Sequence, residues 1–575
     1  MDRFVPRLGK MLVVLAVLLG VPGTGNAQTA DMYKDRIRTW STISPLPEAA
    51  FGERYDLYKG ELSFYQEDLR LSGTGPDIVV GRTFMVNGWQ AVVGPRGFGD
   101  WEITIPRLVA KSPSSPLWQV GTSSNRCTNF AGQPASAPPY FDSRQWWNGV
   151  QLVDQMGNRQ DALRRQAVNT LAPDGLTSVY KGVTKDHWQF SCLSTTANGQ
   201  PGEAMLGVAP DGTRYWFNWL ALSDQHDGLE KDGVDGKPHV LLLYRAMLLV
   251  TRIEDRFGNF LTYAYDGDKL QSISASDGRL VTFMWASDGS AITGMTATGK
   301  SWAYQYRTYS PFPDTLGLMR LVHPDGTSMQ FDLGVLFTDT SLEQPTTDCN
   351  PAPTATSLLT GDPDPTQRTG TIIGPSGLVG TFTIQQQLRG RTKVPAGCTL
   401  GTASYSALFI TNGLVNRQYT GPGGVNRAWQ YQYSPAAGSW ASCSTCSVTT
   451  ASTTVIDPDG SVSRSTYSTE WGAYEGKLLM QEDGITAAGA LRTTTYQYAP
   501  TDDMPYPSLI GWMPPSFSID NNKPALTYSP LRKKTVLQQG RAFVWEVPAT
   551  CGSTGDQLCF DAYARPTKVA KGNTP

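Results

Sequence analysis

The chain has 575 residues and a formal net charge of −2, so no global basic field draws it to nucleic acid or anionic lipid. Glycine (58) and proline (39) are abundant and aromatics reach 10%, while no long stretch sets apolar residues at helical spacing between two caps, which argues against a helical protein. This length has room for several domains or one long repeat array.

The first element reads as a secretory signal. Arg3, Arg7 and Lys10 precede a ten-residue apolar run, Met11–Gly20, and Gly25-Asn26-Ala27 offers a small-x-small cleavage site. Cleavage between Ala27 and Gln28 would leave a mature chain in the periplasm or outside the cell. The apolar run is too short to span a bilayer. No later segment reads as transmembrane: Val240–Val250 is 11 residues, contains Arg245, and is expected to be a buried strand pair.

Residues 28–50 read as an irregular leader and 51–165 as an N-terminal β-rich domain, with short strands around Tyr55–Phe64, Leu69–Leu71 and Ile78–Phe84. Its later part, Lys111–Pro139, is rich in Ser and Pro and is expected to be a surface excursion. From 166 to about 500 a small pattern recurs. A turn glycine is followed five and seven residues later by large side chains: Gly212 by Phe217/Trp219, Gly258 by Tyr263/Tyr265, Gly278 by Phe283/Trp285, Gly299 by Tyr304/Tyr306, Gly326 by Phe331/Leu333, Gly377 by Phe382/Ile384 and Gly424 by Trp429/Tyr431. An offset of two places both side chains on one face of a strand. Gly258 to Gly278 is 20 residues and Gly278 to Gly299 is 21, the period of a stacked repeat. Eleven Asp-Gly dipeptides supply turn chemistry. Thr338–Thr369 reads as a loop insertion (338–369), and Met504–Pro530, with six prolines, breaks the array within a terminal stretch, 501–575.

The run Asp255-Arg-Phe-Gly-Asn259, then Tyr263-Ala-Tyr265-Asp266 and Leu270, resembles the tyrosine-aspartate (YD) repeat of bacterial RHS proteins. Phe560-Asp-Ala-Tyr-Ala-Arg-Pro-Thr567 is similar, with Ala564 where that family has glycine, and the Tyr58–Phe84 region resembles the strand-rich segment before its repeats. The resemblance covers about a third of the chain. It implies an all-β fold, a repeat sheet forming a spiral or partial shell, which in full-length members encloses a C-terminal toxic domain and self-cleaves at an Asp-Pro-x-Gly-type segment. Asp362-Pro363, Asp364-Pro365 and Asp457-Pro458 lie mid-chain without that segment's surroundings, so neither payload nor self-cleavage is carried over.

Local motifs are weighed against this frame. Gly294-Met-Thr-Ala-Thr-Gly299-Lys300-Ser301 has the P-loop spelling, but an alternating strand follows where a helix is needed, and export removes a dependable ATP supply. Four histidines (His187, His226, His239, His323) show no i, i+4 pair. The acidic stretch Ser223–Gly236 offers Asp224, Asp227, Asp232 and Asp235 as hard oxygen ligands for calcium, but lacks EF-hand order; a solvated turn is the plainer reading. Eight cysteines in an exported chain suggest disulfides: Cys443 with Cys446 and Cys551 with Cys559 by proximity, with Cys127–Cys192 and Cys349–Cys398 completing the set. Cys443-Ser-Thr-Cys446 also has redox-pair spacing, without a strand-to-helix context. Among the tryptophans, Trp216, Trp219 and Trp302 are assigned to packing, whereas Trp146-Trp147 lies outside the repeats. On a strand those two would face opposite ways, leaving one ring for a ligand.

The expectation is a non-enzymatic, cofactor-free exported scaffold whose partner is unknown: a cell-surface glycan or a separately encoded protein, and not nucleic acid. The alternatives are a carbohydrate-binding or carbohydrate-active secreted protein, and an incomplete or split toxin-delivery shell.

Overall fold

The computed structural model describes residues 49–574 apart from 87–93, 96, 116, 122, 137–140, 166–179, 233–236, 310–315, 338–362, 396–397, 400–401, 404–406, 501–505, 513–522 and 552–558. The described strands from Phe51 onward belong to one compact unit. The fold is all-β: among the described residues the only helical pieces are short 3-10 turns.

Two sheets organise it. The smaller is an antiparallel meander of Glu53–Tyr55, Leu62–Leu71, Ile78–Met85 and Glu102–Ile103. The larger begins with Arg107–Ser112, which pairs with Val150–Val153 on one side and with Tyr244–Leu249 on the other. Strands from residues 51–165 and from the repeat stretch thus share one hydrogen-bonded sheet. The ladder closes on itself only locally, between Arg107–Ser112 and Pro238–Glu254 by way of the intervening strands. From Phe260–Asp266 the ladder runs antiparallel as far as Ala570–Thr574 against Arg541–Glu546. It bypasses Cys398–Thr399 and Thr402–Ala403, which pair with each other, and Ser508–Leu509, which pairs with Leu163–Arg164. The large sheet itself is open and not closed into a barrel.

The turns explain the repeat. At Asp255–Asn259, Asp255 N–H donates to the Asn259 carbonyl (3.0 Å) and Gly258 N–H to the Asp255 carbonyl (3.2 Å), with Gly258 at φ +86°. This is a three-residue hairpin loop that needs a left-handed third position, which suits glycine. The same two backbone bonds close Asp154–Asn158, Thr184–Trp188, Ala209–Thr213, Ala275–Arg279, His323–Thr327, Gly374–Leu378, Asp457–Ser461 and Asp561–Arg565. A side-chain acceptor completes most copies. Asp255 Oδ1, for example, takes the N–H groups of Phe257 (2.8 Å) and Asn259 (3.0 Å). Gly299 and Gly424 lie elsewhere. Thr298-Gly299 is a two-residue loop with both φ values positive, and Gly424 ends a Pro422–Gly424 3-10 turn.

After each turn the strand alternates. In Phe260–Asp266, Leu261, Tyr263 and Tyr265 are buried, while Thr262, Ala264 and Asp266 face out. Val240–Val250 is not a strand pair. It lies within one strand, Pro238–Glu254, exposed at Val240 and Leu242 but buried from Ala246 to Val250, where strands flank it on both sides.

Candidate functional site

The small N-terminal sheet and its flanking loops cover part of the buried face of the repeats, while Phe217 packs within the large sheet on Phe190 and Tyr215. Phe217, Tyr263, Phe283, Tyr304, Phe331, Phe382 and Trp429, the first large residue after each turn glycine, are all buried. Several meet rings of the small sheet and its flanking loops. Phe382 packs edge-on to Phe64 at 4.8 Å, Phe331 to Trp101 at 5.4 Å, and Tyr431 to Tyr55 at 5.2 Å, while Tyr304 lies 4.6 Å from Phe98. Aromatic pairs of this kind contribute about 1 kcal/mol each beyond the area they bury. These rings are therefore spent on internal packing.

Charges are buried along the same face, each with a partner. Glu53 lies 3.1 Å from Arg417 and also accepts from the Tyr419 hydroxyl. Arg82 binds Asp68 at 2.9 Å and lies over the Trp101 and Phe331 rings, and Tyr304 OH donates to Asp68 at 3.0 Å. Glu102 pairs with Arg107 and, at 3.0 Å, with Arg159. Arg391 binds Glu475 at 2.7 Å, and Tyr58 OH donates to the same carboxylate at 3.3 Å. Burial raises the Glu53 carboxyl above its ordinary range despite Arg417. At Glu102 burial acts the same way, but the Arg107 and Arg159 charges outweigh it and hold the carboxyl below that range. Asp100 has no cationic partner in contact. Burial pushes its pKa up to about 7, opposed by hydrogen bonds from Leu318 N–H (2.7 Å) and Tyr309 OH (3.1 Å). Chemically this network positions one sheet on the other.

The expected site residues are distributed elsewhere. Trp146 and Trp147 are 2% and 1% exposed, so neither offers a ring to a ligand. Strand alternation does not apply to them, because they follow the Ser143–Gln145 3-10 turn and pack T-shaped on each other at 6.3 Å. The acidic stretch is not a turn as far as Asp232: Asp224, Asp227 and Asp232 lie in strand Arg214–Asp232, paired with Pro238–Glu254, and Asp235 lies outside the described residues. No group of three His, Cys, Asp or Glu side chains placed to hold a metal occurs among the described residues. The P-loop spelling spans the hairpin Ile292–Ala297/Lys300–Thr308, with Lys300 exposed. Asp457-Pro458-Asp459-Gly460 is one of the shared turns. Disulfides join Cys127 to Cys192, Cys443 to Cys446 and Cys551 to Cys559, whereas Cys349 lies outside the described residues, as do Ala27 and Gln28. No described helix is long and apolar enough to cross a membrane.

The sequence reading missed the buried charge network. One signal was available: Arg82 interrupts the otherwise apolar Ile78–Phe84 strand, where an unpaired charge would be costly.

No family model matches this chain, and no curated protein matches it. Among solved structures, it is similar to a chain of the Photorhabdus luminescens Tc holotoxin pore, with 10% identity over 89% of this chain and 26% of that one, at a TM-score of 0.24. A second similarity is to a TcdB2–TccC3 structure, with 9% identity over 85% of this chain and 21% of that one, at a TM-score of 0.18. The chain spans about a quarter of the length of these two neighbours.

Proposed function

We propose that this chain is an exported, non-enzymatic β-repeat scaffold of the RHS type, acting through surface contact in the cell envelope or outside it. The observation that carries the reading is the covered repeat face. Several aromatics that might have served as ligand platforms are buried against the chain's own N-terminal sheet, which leaves the outer face for contact with a partner. Nine copies of one turn among the described residues support a repeat scaffold, and three disulfides fit an oxidising compartment.

The test is expression from the natural start in a bacterial host, followed by fractionation, N-terminal sequencing and sedimentation with intact cells. The expected result is a chain beginning at Gln28, outside the cytoplasm, that co-sediments with cells. A cytoplasmic chain still carrying residues 1–27 would overturn the reading.

A further inference from the structure

Described residues from two stretches far apart in the chain meet at one cleft. The Ser/Pro-rich excursion Lys111–Pro139 supplies Gly121, Gln133 and Ser136, and the proline-rich break Met504–Pro530 supplies Trp512. Asp142 and Arg144 complete the wall of a cleft of about 540 Å³. That volume lies within the range of small-ligand sites.

Trp512 is held in place and still 49% exposed. Its backbone N–H donates to the Trp147 carbonyl at 2.7 Å, and its indole N–H to Gln133 Oε1 at 2.6 Å. The preceding Gly511 allows this approach, since a Cβ there would lie 2.2 Å from the Gly149 nitrogen. Gln133 belongs to a loop tied back by Gly121 N–H to its carbonyl at 2.8 Å. Ring and loop are thus fixed before any ligand arrives, which lowers the ordering cost of binding.

The polar wall is fixed as well. Asp142 accepts a fork from Arg144, with Nε to Oδ1 at 3.0 Å and Nη2 to Oδ2 at 2.8 Å, and a capping box with Gln145 holds its backbone. The Arg144 side chain remains 44% exposed. Carboxylate and guanidinium cancel in net charge while setting acceptor and donor edges side by side. A half-exposed indole lining the same cleft as such a pair suits a ligand with one apolar C–H face and several hydroxyls. It does not suit an anion, whose charge Asp142 would oppose.

We infer that the Trp512 cleft is a binding site for a neutral oligosaccharide, with a pyranose ring stacked on the indole and its hydroxyls bonded to the Asp142–Arg144 pair. This names a partner class for the surface-contact reading and rests on it. The experiment is calorimetric titration of the full mature chain with cellotetraose, maltotetraose and chitotetraose. At least one should bind, and Trp512→Ala should weaken it by tenfold or more, about 1.4 kcal/mol. Trp512→Phe should retain part of the affinity, and Arg144→Ala should weaken binding with an unchanged melting curve, which keeps the test decisive if Trp512→Ala misfolds. An empty panel, or a folded Trp512→Ala chain that binds like the parent, overturns the site. Cell sedimentation that survives alongside an empty panel removes the site and leaves the scaffold reading standing. Cytoplasmic retention removes the scaffold reading without affecting the titration.

Discussion

At the scale of single residues, the turn position after which each repeat begins decides most. A Cβ at Gly258 would meet nothing within 4 Å, so Gly258→Ala isolates the backbone cost of a side chain at φ +86°. That cost is about 1–2 kcal/mol, partly offset by a stiffer unfolded chain. The expected net loss is about 1 kcal/mol in urea unfolding, and an unchanged midpoint would contradict it. Ala564 shows the opposite balance. It holds φ +58° in the same turn, yet its methyl is buried with Leu163, Val183, Tyr506 and Tyr528. Burying a methyl contributes roughly 0.8 kcal/mol, enough to offset much of the strain. This explains an alanine at Ala564, where seven of the other eight copies have glycine and Thr184–Trp188 has His187 at φ +67°. The turns were legible from Gly258 and Gly278 because a large residue follows at the fifth position. Gly460 was not, because Ser465 occupies that place.

At the scale of elements, the small sheet is held to the repeats by contacts between residues far apart in the chain. Phe64 meets Phe382, and Asp100 meets Leu318 and Tyr309. Alternation in Leu62–Leu71 shows a strand with one buried face, and Ile78–Met85 is buried on both faces over its first five residues. Neither pattern can name the opposite face, because no local pattern encodes pairs separated by hundreds of residues. The same limit hid the cleft, where two apparently irregular stretches converge on Trp512. Trp146 and Trp147 misled for a related reason: a strand period was applied to residues that follow a 3-10 turn. The docking of the small sheet carries a pH signature. Asp100 has a folded pKa of about 7 against an ordinary value near 4, so it contributes stability below about pH 4 that is lost as pH rises through 7. Relative to the parent, Asp100→Asn should therefore gain stability from pH 4 to pH 8, by on the order of 4 kcal/mol at most. Urea midpoints at pH 4, 6 and 8 measure it, and a pH-independent difference would contradict the buried, protonated carboxyl. Arg82, paired to Asp68, opposes this upward shift of the Asp100 carboxyl without cancelling it.

At the scale of the whole molecule, one open antiparallel sheet carries the repeats, and the chain's own first strands cover part of its aromatic face. The stacked order follows from the turn: each hairpin leaves one apolar stripe uncovered, which the neighbouring strands and the small sheet bury. Fold class was therefore readable from glycines and aromatics, whereas the 20–21-residue spacing joined unlike turns, since Gly299 sits in a two-residue loop, and the covering of the face depends on contacts between distant residues. The most direct measurement is amide hydrogen exchange, followed by mass spectrometry, on the intact protein in native buffer. Leu62–Leu71 and Ile78–Met85 should exchange as slowly as repeat strands such as Phe260–Asp266 and Val379–Gly390, and should lose protection together with them as urea is added. Rapid exchange in the first two strands while the repeat strands stay protected would contradict a repeat face covered by the N-terminal sheet.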